Sequence, residues 1–326
     1  EFMRIKLGGN SFLLGLILFP LISLTSCQQS SSSDSSKGII GITVMSSENP
    51  FFNVLANAAA EEARKHGYET EILSGDNDPD KQDRQMKDFI AKEVAGIIIS
   101  PCNAHAIGAS IKSANRVGIP VFMADTGCTD STAQTVSTIT TANYEGGVQA
   151  GNAMVELLGG KGGDILVLDF KSAESCLKRV AGFKKVMNEY NEANPDAEIR
   201  IVSELKSGGR RDVANQSTSD ALQAHPNLKA IFAINDPAAL GAYAALEKVG
   251  KQEDIDIIGF DGMPEGKRAI KEGKIYADPI QFPDRIGQMT VQTMMRYFDG
   301  EEVEKDVLID TYLYKKADAE KDPSLN

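Results

Sequence analysis

Ile39-Ile40-Gly41-Ile42-Thr43-Val44-Met45-Ser46-Ser47-Glu48-Asn49-Pro50-Phe51-Phe52 is the stretch on which the fold turns. The apolar, β-branched run Ile39–Met45 reads as a first strand. The alanine-rich run from Val54 to Arg64 reads as a helix that ends at Gly67. Asn49 and Pro50 suit the start of that helix. Phe51 and Phe52 therefore fall at the carboxyl edge of a strand, where open α/β sheets bind their ligands. Two readings of the aromatic pair compete. One is local packing, a hydrophobic staple and a core residue. The other is recognition of a sugar, whose C–H faces are apolar and whose rim is hydroxylated; the Asn49 amide would supply a donor and an acceptor beside the rings.

Outward from this unit the chain keeps alternating. Strands are expected at Glu69–Leu73, Gly96–Ser100, Val121–Ala124, Thr135–Ile139, Asp164–Leu168, Ile199–Ser203, Ala230–Ile234, Ile255–Gly259, Ile275–Asp278 and Val307–Tyr312. Helices are expected at Lys81–Val94, His105–Val117, Gly147–Leu158, Ser175–Tyr190, Arg211–Ala224, Pro237–Val249 and Asp284–Phe298. This spacing implies parallel sheets with helices on both faces. About eleven strands are many for one open sheet, so two lobes are expected. Thr140–Tyr144, Gln281-Phe282-Pro283 and the stretch around Asp310-Thr311 are candidate crossings between them. Gly159-Gly160-Lys161-Gly162-Gly163 resembles a phosphate loop only superficially: it follows a helix and precedes a strand, and no Ser or Thr follows the Lys. It reads as a helix stop and turn.

The amino-terminal region reads as a secretory leader. Glu1 and Phe2 look like a cloning remnant before Met3; Arg4 and Lys6 precede an apolar core from Phe12 to Ile22. Leu24-Thr25-Ser26-Cys27 resembles a bacterial lipobox, in which Cys27 is acylated and becomes the mature amino terminus. Residues 27–37, nearly all Ser and Gln, read as a flexible tether. Loss of Arg4, Lys6 and Glu1 would take the net charge from −12 to −13. An acidic body without a basic cluster argues against nucleic acid. Cys102 and Cys128 each follow a neighbouring expected strand, which allows either a disulfide or two buried thiols.

Enzyme constellations are missing from the sequence. His66, His105 and His225 lie in no metal-protease or zinc-finger spacing, and there is no Cys-x-x-Cys, no Gly-x-Ser-x-Gly elbow and no Gly-x-Gly-x-x-Gly after the first strand. No cofactor, metal or catalytic residue is expected. Planar polar residues instead recur just past expected strands: Asp125, Asn235-Asp236 and Phe260-Asp261-Gly262, with Gln281 at a crossing. Singly, each has an ordinary explanation, such as Asp236 as a helix N-cap before Pro237 or Asp261-Gly262 as a turn.

Together, Ser47–Phe52, Ala230–Asp236 leading to Ala239-Leu240-Gly241-Ala242, Ile258–Gly262 and Gln281–Gly287 closely resemble the ribose-type periplasmic sugar-binding proteins, in matching order from Gly38 to the end. The resemblance implies a type I periplasmic binding protein fold of class α/β: two similar lobes, each a parallel sheet flanked by helices, joined by three crossovers. Residues 1–26 would be the leader and 27–37 the tether. The amino-terminal lobe would comprise 38–141 plus 282–310, and the carboxyl-terminal lobe 142–281 plus 311–326. It also implies a pocket with Asn49, Phe51, Phe52, Ser100, Asp125 and Thr126 on the first lobe, Arg179, Asn235, Phe260 and Asp261 on the second, and Gln281 at the hinge. Phe52 and Phe260 would sandwich the ring. Arg179 and the carboxylates would bind adjacent hydroxyls, and neither Asp125 nor Arg179 would be core.

Three departures stand out. Thr126 replaces an Arg, Ser100 an Asn, and Gly209 falls where an aromatic is expected. They imply a monosaccharide or polyol other than ribose; the resemblance implies its delivery to the membrane permease of an ABC importer, here by a monomer that the lipobox would anchor to lipid. A sensing subunit that presents the same ligand to a chemoreceptor or sensor kinase is the alternative.

Overall fold

The structure, a computed structural model, describes residues 36–325. The expected leader, the acylated Cys27 and most of the tether lie outside the described residues. In chain order the elements are β1 (Ile39–Val44), α1 (Pro50–Lys65), β2 (Glu69–Ser74), α2 (Pro79–Ala91), β3 (Gly96–Ile99), α3 (Gly108–Arg116), β4 (Val121–Ala124), β5 (Thr138–Thr141) and α4 (Asn143–Leu158). There follow β6 (Gly163–Asp169), α5 (Glu174–Ala193), β7 (Ile199–Lys206), α6 (Arg211–Ala224), β8 (Leu228–Ala233), α7 (Asp236–Lys248), β9 (Asp256–Ile258) and α8 (Pro264–Lys271). The last are β10 (Ala277–Pro279), α9 (Pro283–Phe298), β11 (Asp306–Ile309), β12 (Leu313–Lys315) and α10 (Lys316–Ala319).

The strands form two six-stranded sheets, ordered β11-β5-β4-β3-β1-β2 and β12-β10-β9-β8-β6-β7. Every pair in the first sheet is parallel. The second differs from the expected all-parallel sheet, because β12 runs antiparallel to β10. The reason is topological. Both sheets point their strand carboxyl ends at the cleft, so a chain that leaves β11 and crosses there must enter the second sheet running away from it. The same crossing divides the expected strand Val307–Tyr312 into β11 and β12, one in each sheet. The other two crossings follow β5 and β10. Strand interiors are apolar and buried, as β3 and β4 show throughout, in keeping with parallel sheets covered on both faces.

Gly159, with φ +52°, caps α4, and Gly160, Gly162 and Gly163 also hold positive φ, so the glycine-rich stretch is a stop and turn leading into β6. Cys102, Cys128 and Cys176 are free thiols. Cys102 donates weakly toward the Met45 carbonyl, so the disulfide alternative is not the one adopted. Among the described residues, no helix is long and apolar enough to cross a membrane.

A polar cleft walled by aromatic rings

A cavity of about 930 Å³ opens between the carboxyl edges of the two sheets. Each wall is built by local sequence. On the first lobe, Asn49 is the N-cap of α1, its Oδ1 accepting from Phe51 N at 3.0 Å, with Pro50 in the first turn. That start places Phe51 and Phe52 inside the first turn, edge to face at 5.3 Å between centroids. Both are buried yet contribute to the cavity wall. Packing and cavity lining are here the same position, so the two readings of the pair do not exclude each other.

Asp125 follows β4 with φ +73°. Its backbone is clamped by β5, its N–H donating to Ile139 O and its carbonyl accepting from the Thr140 hydroxyl. Asp261 follows β9 with φ +104°, its N–H donating to Pro279 O and its carbonyl accepting from Gln281 N. Left-handed backbone is costly for a side chain with a Cβ and persists where the surroundings impose it. Among the described non-glycine residues with positive φ, these two aspartates are the buried ones.

Arg179 stands between them. Glycines let α4 and α5 pack nearly backbone to backbone: a Cβ at Gly147 would overlap the Arg179 carbonyl, and one at Gly182 the Tyr144 carbonyl. This approach brings Arg179 Nε to Asn143 Oδ1 at 2.8 Å, while Nη1 donates to Ile234 O at 2.7 Å and Asp261 Oδ1 at 3.2 Å. The guanidinium carbon lies 3.9 Å from the Phe260 centroid. Gln281 Nε2 donates to the same Asp261 oxygen at 2.6 Å. Contrary to expectation, Arg179 and Asp125 are core groups, only 3% and 4% exposed.

Burial governs the charge state. Desolvation pushes the Asp125 carboxyl up to about 7, against the pull of Arg179, and the Asp261 carboxyl up to about 6. Behind them Asp236, in α7, faces Asp278, in β10; desolvation raises Asp236 well above the usual carboxylate range and takes Asp278 to about 7. Arg179 thus offsets two buried carboxyls, Asp125 and Asp261, while Asp236 and Asp278 face each other behind them. Asp125 Oδ1, Asp236 Oδ1 and Gln281 Oε1 are buried without a hydrogen-bond partner.

Asn49, Phe51, Phe52, Asp125, Arg179, Asn235, Asp261 and Gln281 line the cavity; Ser100, Thr126 and Phe260 do not. Ser100 Oγ donates to Ala124 O at 2.8 Å. Thr126 Oγ1 accepts from Ser175 N of the second lobe at 3.1 Å, and near it Ala104 N donates to Ser172 O at 2.9 Å. Phe260, fully buried, is the floor under Arg179. Phe170 takes the place assigned to it on the wall. It directly follows β6, the same strand-edge signal that marks Asp125 and Asn235. A Cβ on Gly209 would lie 3.5 Å from the Phe170 ring, so the aromatic absent at 209 is supplied from the neighbouring strand. The N-cap of α7 is Asn235, not Asp236: its Oδ1 accepts from Ala238 N at 3.0 Å, and its Nδ2 donates to Gly209 O at 3.1 Å.

The arrangement can hold a neutral, hydroxyl-rich ring. Aromatic faces cover its C–H surface, while carboxylates, an amide and a guanidinium meet its rim. Residues 40–302 match the family model described as periplasmic binding protein domain. The chain is 31% identical over 281 residues to the ribose import binding protein of Escherichia coli, covering 86% of this chain and 91% of that one. It is 31% identical to the D-apiose import binding protein of Actinobacillus succinogenes, covering 75% and 76%. A solved ABC transporter solute binding protein from Bacillus halodurans with bound myo-inositol superposes with a TM-score of 0.79 at 25% identity, covering 89% and 98%. The chain belongs to the periplasmic binding protein family, among its ribose-type sugar-binding members.

Proposed function

We propose that this protein is an extracytoplasmic, lipid-anchored binding protein that captures a monosaccharide or polyol other than ribose by lobe closure and delivers it to the permease of an ABC importer. The observation that carries this is the pair of buried, unpartnered oxygens on Asp125 and Gln281 beside Arg179, in the cavity walled by Phe51, Phe52 and Phe170. Buried polar atoms without partners are costly, and ligand hydroxyls satisfy them. Relatives named for ribose and D-apiose import support the transport role. The departure from ribose rests on the pocket wall, where Thr126 is spent on a bond between the lobes and presents no cation. Acylation of Cys27 would supply the anchor.

A thermal-shift screen over pentoses, hexoses, ketoses and polyols tests the reading. Ligand at 100 times its Kd should stabilise the folded state by about 2.7 kcal/mol, and Asp125→Asn should weaken that response. Silence towards every carbohydrate, or a response selective for ribose, would overturn it.

A further inference from the structure

The helix that carries the buried cation of the site, α5, begins without a cap of its own. Ala173 stands at its N-cap and offers no side-chain acceptor, and alanine ranks far below Ser, Thr, Asn and Asp in that position. By contrast, α1 and α7 are capped by their own Asn49 and Asn235. In α5 the N–H of Ser175, at the second helical position, donates to Thr126 Oγ1 at 3.1 Å. That is the bond an N-cap hydroxyl would make, but this hydroxyl comes from the loop after β4, in the other sheet. The helix is capped from across the cleft.

Both sides of this contact are fixed. Thr126 N donates to Ala124 O at 2.9 Å, a tight turn around the left-handed backbone of Asp125. Thr126 and Ser175 are buried, so where the lobes meet neither group can turn to water. Beside them Ala104 N donates to Ser172 O at 2.9 Å, while Ala104 O accepts from Thr129 N at 3.0 Å. Away from the three crossings, the bonds from Ser175 to Thr126 and from Ala104 to Ser172 are the hydrogen bonds that join the lobes among the described residues. The second lies between backbones, so Thr126 supplies the side chain of this junction. The first two turns of α5 then present Ser175, Cys176 and Arg179 to the cavity.

Resting on the sugar-binding reading above, we propose that Thr126 is a positioning residue that makes lobe closure and the placing of Arg179 one event: its hydroxyl caps α5 only when the lobes meet, and the capped start holds Arg179 against a sugar clamped by Phe51, Phe52 and Phe170. When the lobes part, water replaces the hydroxyl on the Ser175 N–H. When they meet without that hydroxyl, a buried donor is left unpaired. The bond therefore weights the closed form alone. Any sugar that binds the closed form gains by the same factor, whichever hydroxyls it carries.

Isothermal titration of the full chain and its Thr126→Val and Thr126→Ser variants with D-ribose, D-allose, D-fructose, D-apiose and myo-inositol tests this, together with amide exchange at Ser175 measured by NMR on the protein saturated with whichever of these binds. Thr126→Val keeps the shape and removes the acceptor. It should weaken every probe that binds the parent by one common factor of at least about five, the fold-change of a single capping hydrogen bond, and exchange at Ser175 should accelerate. Thr126→Ser keeps the hydroxyl and should restore both. Unchanged affinity in Thr126→Val, or a loss that Thr126→Ser does not restore, would overturn the cap while leaving the sugar-binding reading intact. So would a loss that differs from probe to probe, or one accompanied by Ser175 exchange as slow as in the parent. No binding of any probe to the parent, with no response in the wider carbohydrate screen, would overturn both readings.

Discussion

Replacing Asp278 by Asn should stabilise this protein at neutral pH, and the gain should grow as the pH rises. Asp278 is fully buried on β10, and the group its carboxyl faces is the Asp236 carboxyl. Its neighbour Asp236 uses Oδ2 to accept from Met263 N at 2.7 Å, leaving Oδ1 for the pair. Two carboxyls facing each other out of water hold a proton between them. Burial takes Asp278 from an ordinary 3.8 to about 7. Between those values the folded state keeps a proton that the unfolded chain has released. By linkage, stability is then fullest below about pH 4 and falls as pH rises towards 7, by at most ~1.4 kcal/mol for each pH unit. The full span corresponds to about 4 kcal/mol as an upper bound.

An asparagine in this place carries no charge to desolvate, and its amide can donate to Asp236. The difference in unfolding free energy between variant and parent should therefore be at most about 1 kcal/mol at pH 4.5 and reach about 2–4 kcal/mol in favour of the variant at pH 7.5. Urea denaturation at four pH values, followed by circular dichroism, measures it. Asp236 titrates differently once its partner is an amide, and that change belongs to the shared proton being tested; titrations away from this pair occur in both proteins and cancel in the difference. A difference that does not change with pH, or a variant less stable than the parent at pH 7.5, would refute the shared proton.

Two further substitutions separate the aromatic rings and the buried cation. Phe170→Ala should weaken binding of the clamped ring roughly tenfold with little loss of stability, since stacking contributes about 0.5–1.5 kcal/mol beyond the area covered; Phe260→Ala should instead cost about 3–5 kcal/mol of stability by opening a cavity beneath Arg179, and calorimetric titration with chemical denaturation tells the two apart. Arg179→Met should destabilise by about 3–5 kcal/mol at pH 8, where Asp125 and Asp261 lose their buried counter-charge, and by clearly less at pH 5, where both carboxyls are protonated; equal losses at the two pH values would contradict this.

The alternation of strand and helix was legible because its signals are local: β-branched runs, amphipathic spacing and Asn-Pro or Asp-Pro starts. Strand edges were legible for the same reason, and they led to Asn49, Asp125, Asn235 and Asp261 on the cavity wall. The direction in which a side chain leaves a strand edge was not. Phe260 and Asp261 are adjacent, yet Asp261, held at φ +104°, lines the cavity while Phe260 lies under Arg179. Ser100 and Thr126 sit at edges too, but their hydroxyls are taken by Ala124 O and Ser175 N, partners distant in sequence. The division of Val307–Tyr312 was hidden because strand propensity does not record which sheet a residue joins.

The site also shows why turn chemistry and ligand chemistry coincide at these edges. An asparagine amide has one acceptor and two donor hydrogens. In Asn49 the acceptor caps α1 through Phe51 N, and in Asn235 it caps α7 through Ala238 N. The cap fixes the side chain without using the amide nitrogen of Asn49, for which no protein acceptor is found among the described residues. A helix start thus orients a donor at no additional entropic cost to the ligand, because folding has already ordered the group. The capping reading and the binding reading of Asn49 are therefore one arrangement, and Asn49→Asp separates its two halves. The aspartate keeps the cap, so the helix should hold to within about 0.5 kcal/mol. It lacks the amide donor, so affinity for the clamped ring should fall by at least tenfold. A variant that binds as tightly as the parent would show that Asn49 serves the helix alone.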